Sequence, residues 1–156
     1  MYIPSSQNYC QAMVTLYNTK IEIELEPVGN PTVSIISGDY KELVSISKPI
    51  CYTFKHHTPE TTIKIIIELL DKSDNDPDTA VIIKTIRLNN ISNVKFAYAG
   101  TYYPIYPVEW SKEQLDLKPS LPGQTYLGWN GVYELEITVP IFTWMHRTMG
   151  LGWIFE

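Results

Sequence analysis

Residues 20–26 read KIEIELE, with Ile21, Ile23 and Leu25 alternating with Lys20, Glu22, Glu24 and Glu26. Successive side chains of a β-strand point to opposite faces, so a period of two predicts a strand with one buried and one wet face. The pattern recurs along the chain. In TIKIIIELL (62–70), Ile63, Ile65, Ile67 and Leu69 share a face. In VYELEITVP (132–140), Tyr133, Leu135, Ile137 and Val139 oppose Glu134, Glu136 and Thr138. ELVSIS (42–47), ICYTF (50–54) and AVIIKTIRL (80–88) are rich in the β-branched and aromatic residues that suit a pleated surface, and 94–98 reads as a further strand. The turn-forming runs VGNP, SGD, SDNDPD, LNNIS, LPGQ and WNG lie between these segments.

A helical period is missing from these segments. The best candidate is VEWSKEQLDL (108–117), where Ser111 would cap one or two turns. The expected fold is therefore all-β. Alternating strands leave an apolar face on every sheet, and two antiparallel sheets covering each other as a jelly-roll-like β-sandwich bury both faces. A chain of 156 residues fits one such domain, 1–156. Residues 1–18 and 141–156 fall outside the clean alternation. They read as an irregular N-terminal extension and a C-terminal aromatic tail, either of which would supply edge elements.

Composition narrows the function. Apolar residues make up 44% and charged residues 19%, a globular balance. The net charge of −5, with 12 scattered Lys and Arg, argues against nucleic acid as a partner. The longest apolar stretch, 65–70, is interrupted by Glu68 and is far shorter than a membrane span, so no membrane partner is expected. The Met1 end shows neither the basic region nor the apolar run of a signal peptide, and the expectation is a chain made in a cell's cytoplasm. Two widely spaced cysteines, Cys10 and Cys51, read as free thiols in that setting.

Catalytic motifs are missing. There is no G-x-S-x-G, no G-x-G-x-x-G and no phosphate-binding loop, and the strand glutamates alternate with core residues, which places them on solvated faces. No enzyme activity is expected. His56 and His57 are adjacent and would face opposite sides of a strand, so they do not suggest a zinc site. DKSDNDPD (71–78) gathers Asp71, Asp74, Asp76 and Asp78. Such a loop is either a solvated turn or an oxygen-rich calcium site. It is not an EF-hand, because Asp76 stands where glycine is needed and Ile82 where glutamate is needed. No other cofactor is expected.

The aromatic content is the most informative feature, with 11 Tyr and 4 Trp against 4 Phe. GTYYPIYPVEW (100–110) carries Tyr102, Tyr103, Tyr106 and Trp110, while Trp129, Trp144 and Trp153 lie further on. Pro104 and Pro107 bias this stretch toward a stiff extended loop outside the sheet. These seven aromatics are the candidate contact residues for a protein partner or a glycan, because Tyr and Trp pair a large apolar face with a polar handle.

The stretch TTIKIIIELLDKSDNDPDTAVIIKTIRLNNI (61–91) resembles the paired strands and acidic turn of small β-sandwich carbohydrate-binding modules, in particular the calcium-dependent xylan-binding type. Asp71, Asp74, Asp76 and Asn90 occupy comparable places, with Asn90 standing where that pattern has glycine. The C-terminal part from Tyr126 onward is similar in style to short, acidic, Tyr- and Trp-rich virion proteins of tailed bacteriophages. The first resemblance implies glycan binding, with calcium assistance if the acidic loop holds the ion. The second implies a structural component of a virion (a capsid decoration, or a tail or fibre protein) that assembles with itself or other virion proteins through its aromatic loop and ends. Of the two, the virion component is the leading expectation and the carbohydrate-binding module the alternative.

Overall fold

The computed structural model describes residues 16–59, 61–73, 75–76 and 78–150. Two antiparallel sheets pack face to face. The first contains β1 (Tyr17–Val28), β4 (Ile50–Thr58), β6 (Ala80–Leu88), β7 (Ile91–Ser92) and β10 (Tyr126–Leu127), in the order β10-β6-β1-β4 with β7 beside β6. The second contains β2 (Thr32–Ser37), β3 (Tyr40–Ser45), β5 (Thr62–Leu70), β8 (Thr101–Pro104), β9 (Leu121–Pro122) and β11 (Gly131–Thr138), in the order β3-β2-β5-β11-β8-β9. This is the β-sandwich that the alternation predicts.

The period of two translates directly into the core. Ile21, Ile23 and Leu25 from β1 meet Ile63, Ile65, Ile67 and Leu69 from β5, together with Tyr133, Leu135 and Ile137 from β11, all nearly or completely buried. Burying each such aliphatic side chain is worth roughly 1.5–3 kcal/mol. β6 departs from simple alternation for a local reason. Glu24 pairs with Thr85 and Leu25 with Ile83, so Lys84 is an extra residue bulged out of the ladder. The bulge shifts the phase, and Val81 and Ile83 are buried before it, Ile86 and Leu88 after it.

Three segments differ from the sequence reading. Residues 94–98 form not a strand but the short helix α1 (Val94–Tyr98), because the Asn93 side chain accepts from the Lys95 N–H at 2.9 Å and caps the first turn while Phe96 and Ala97 enter the core. Among the described residues the tail does not run on as an edge strand. It begins with α3 (Ile141–Thr148), which buries Ile141, Trp144 and Met145. The spacing i, i+3, i+4 is that of one helix face, and Trp144 packs against Phe96 with ring centroids 5.6 Å apart. The aromatic stretch is only partly outside the sheets, since Thr101–Pro104 pairs with β11. Pro104 fits there because it takes the last position of the strand, where the missing N–H leaves little of the ladder unmade. The expected turn at 108–117 is α2 (Val108–Ser111), a single turn, but Ser111 does not cap its start: Pro107 stands at the N-cap, and Ser111 ends the helix with its hydroxyl donating to the Val108 carbonyl at 2.8 Å. No helix among the described residues is long and apolar enough to cross a membrane.

Candidate functional site

Three connections meet at the end of the sandwich where β5 and β8 finish and β6 and β11 begin. They are the acidic loop after β5, the segment running from Ile105 through α2, and the stretch on either side of β10. Between them lies a cleft of about 420 Å³.

Side-chain bonds to the backbone fix its frame. The Asn130 carboxamide accepts from the Lys72 N–H at 2.8 Å and donates to the Lys72 carbonyl at 2.9 Å, copying a strand-to-strand pair with a side chain. The Lys72 ammonium reaches across to the Gly128 carbonyl at 2.5 Å. Trp129 is held from below. The hydroxyl of Tyr102 accepts from its N–H at 3.0 Å and donates to its carbonyl oxygen. Burial of that phenol raises its pKa to about 12, against the opposing pull of the backbone bond to Trp129.

On this frame three aromatic rings form one cluster. The Trp129 ring stands edge-on to Tyr106 at 5.1 Å and tilts against Trp110 at 5.5 Å, while Tyr106 and Trp110 lie 5.8 Å apart. Tyr106 is fixed by its hydroxyl, which donates to the Lys118 carbonyl at 2.7 Å. Trp110 remains 38% exposed, so its ring is available to a ligand. Lys72, Asp76 and Gln124 supply polar groups around the aromatic cluster.

Asp76 has a structural task in its own loop. Its carboxylate accepts from the Thr79 hydroxyl and from the N–H groups of Thr79 (3.1 Å) and Asp78 (3.0 Å). These bonds, that of the Thr79 hydroxyl first, hold its pKa below the ordinary carboxylate value. Asp71 sits at φ 59° directly after β5, and Asp78 is exposed. Among the described residues no group of three or more His, Cys, Asp and Glu side chains is placed to hold a metal ion, and Asp74 lies outside those residues.

The candidate aromatics thus divide. Tyr106, Trp110 and Trp129 line or support one cleft, and Asp76 from the acidic turn joins them. Tyr102 and Trp144 are core residues, 0% and 6% exposed, and offer no contact surface. Tyr103 is exposed on the other side of β8, opposite Val132. Trp153 and Cys10 lie outside the described residues, while Cys51 is exposed on β4. The sequence reading misses Lys72, Gln124 and Asn130. Asn130 and Gln124 read there only as parts of the turns WNG and LPGQ, and Lys72 only as a member of the acidic loop DKSDNDPD.

No protein-family model matches the sequence, and no curated protein does. Two solved structures are similar in shape. One is vCBM60 in complex with galactobiose, 14% identical, with a TM-score of 0.47 over 74% of this chain and 96% of that one. The other is the selenomethionine form of vCBM60, reported with two families of calcium-dependent carbohydrate-binding modules linked by circular permutation. It is 11% identical, with a TM-score of 0.48 over 75% of this chain and 89% of that one.

Proposed function

We propose that the protein is a non-catalytic carbohydrate-binding module and that the cleft beside Trp110 and Trp129 takes the sugar. The observation that carries this reading is the joining of the Tyr106–Trp110–Trp129 cluster to Lys72, Asp76 and Gln124 in one concave site. Sugar rings present apolar C–H faces and a rim of hydroxyls. Flat aromatic surface suits the faces, and an ammonium, a carboxylate and an amide suit the hydroxyls. The volume lies within the roughly 300–1,000 Å³ typical of small-molecule sites. A place in a bacteriophage virion is a second reading, but no contact among the described residues favours it, and the first part of the tail it relies on for assembly is packed onto the sandwich as α3.

A glycan array followed by calorimetry tests the proposal. Binding to at least one oligosaccharide is expected, weakened at least about tenfold by Trp110→Ala, with the fold retained because Trp110 is partly exposed. Absence of binding to every glycan, or full affinity in the Trp110→Ala variant, overturns it.

A further inference from the structure

β6 begins beside the aromatic cleft and ends, on the order of 25 Å away at about 3.3 Å per residue, at a second cavity of about 360 Å³. The second cavity opens where β1 starts and β4 ends. There Lys20 lies directly across from Lys55, and Asn18 across from His57. Like charges in directly opposed strand positions destabilise a sheet. Lys20 is partly compensated, donating to the Asn90 side-chain oxygen at 2.8 Å and lying 3.6 Å from Glu22, which it shares with Arg87 at 3.5 Å. Lys55 has no ion-pair partner among the described residues. Among the described residues no Asp or Glu lines the cavity, although the chain as a whole carries −5.

The surroundings are firmly built. The turn at Asn89 and Asn90, both at positive φ (47° and 69°), is pinned to β1. Asn89 accepts from the Lys20 N–H at 2.6 Å and donates to the Asn18 carbonyl at 3.2 Å. The Asn18 side-chain oxygen in turn bonds His57 Nδ1.

We propose that this cavity is a second binding site, for a tetrahedral oxyanion of the phosphate or sulfate type, with Lys20 and Lys55 as its cationic contacts and the Asn90 carboxamide as a further donor. An anion placed between the two ammonium groups relieves their repulsion, and it receives charge-assisted hydrogen bonds from both. The site is separate from the sugar cleft and stands or falls independently of it.

The test is a titration of the labelled protein with inorganic phosphate, inorganic sulfate and glucose 6-sulfate, followed by amide NMR against sodium chloride at matched ionic strength. Saturable shifts at Lys20, Lys55, Asn89 and Asn90 are expected with the tetrahedral anions and not with chloride. Lys55→Gln should weaken binding roughly tenfold, the scale of one charge-assisted contact. Lys84→Gln removes a lysine that already pairs with Glu26 on the same sheet and should leave binding unchanged. Tighter binding of the sugar sulfate than of free sulfate would assign the anion to a glycan, and equal binding to a free ion. Equal responses to chloride and sulfate, or equal affinity in the Lys55→Gln and Lys84→Gln proteins, overturn the proposal.

Discussion

The buried hydroxyl of Tyr102 bonds both backbone groups of Trp129, accepting from the N–H at 3.0 Å and donating to the carbonyl oxygen. One core side chain thereby completes the hydrogen bonding of a loop residue whose indole contacts both Tyr106 and Trp110. A strand of the sandwich therefore sets the position of the cleft's aromatic cluster.

Tyr102→Phe keeps the ring and removes both bonds, leaving the Trp129 N–H and carbonyl without their partner. An unsatisfied buried polar group costs about 1–3 kcal/mol. In a chain of this length that is a fall in Tm of the order of 2–12 °C. Glycan affinity should fall as well, although Tyr102 is 0% exposed and touches no ligand. Calorimetry on the variant checks both effects, and unchanged stability would refute the anchoring role.

Gly100 lies against the ring of Tyr133, so closely that an added Cβ would overlap it. Tyr133 is fully buried, and its hydroxyl donates to the Ala97 carbonyl at 2.5 Å, so the ring has nowhere to move. Gly100→Ala should destabilise the fold by at least the roughly 1–3 kcal/mol of an overpacked core. Urea denaturation measures this, and a shift under about 0.5 kcal/mol would show that the ring yields.

The strands were legible because alternation is a local signal and the core reads it residue by residue, as Ile63, Ile65, Ile67 and Leu69 illustrate. Segments 94–98 and 141–148 lack that signal. A five-residue helix has too few turns to display a period, and its determinant is the side chain of Asn93 just outside it. In α3 the spacing of Ile141, Trp144 and Met145 was present, but it is masked by the exposed Phe142 between them. The site was half legible. Aromatic crowding singled out Tyr106, Trp110 and Trp129, but chemical type could not separate them from the equally aromatic Tyr102 and Trp144, which pack inside. Lys72 and Asn130 meet only because β5 and β11 pair antiparallel, a relationship that spans 58 residues.

The acidic loop makes a prediction about calcium. Three donors from Thr79 and Asp78 already occupy the Asp76 carboxylate, so it serves as a turn cap. Chelator should leave both Tm and glycan affinity unchanged, and Asp76→Ala should lower Tm whether or not calcium is present. A calcium-dependent rise in Tm that is lost in the Asp76→Ala protein would show instead that the loop binds the ion.

At alkaline pH the buried phenols set the limit. The pKa of Tyr102 is raised from 10.0 to about 12, and burial pushes that of Tyr133 up as well. A folded-state value above the unfolded one means that stability is intact below about pH 10 and is lost as pH rises toward 12. Tyrosinate absorbance recorded beside circular dichroism should show these two phenols ionising only as the sheets unfold. Their ionisation with the fold intact would contradict the burial argument.

At acidic pH His56 is the sensitive group. It is inward-facing on β4, with Nε2 2.7 Å from the Ser37 hydroxyl and Tyr40 edge-on at 5.4 Å. Burial lowers its pKa from the ordinary 6.5, with Asp39 pulling weakly the other way. The unfolded imidazole takes up a proton that the folded one resists, so stability is complete above about pH 6.5 and declines as pH falls below it. His56→Gln keeps a polar partner for Ser37 but does not titrate. Urea midpoints measured from about pH 7.5 down to about pH 5 should fall less steeply in that variant than in the parent. Parallel curves would assign the acid sensitivity to the carboxylates instead.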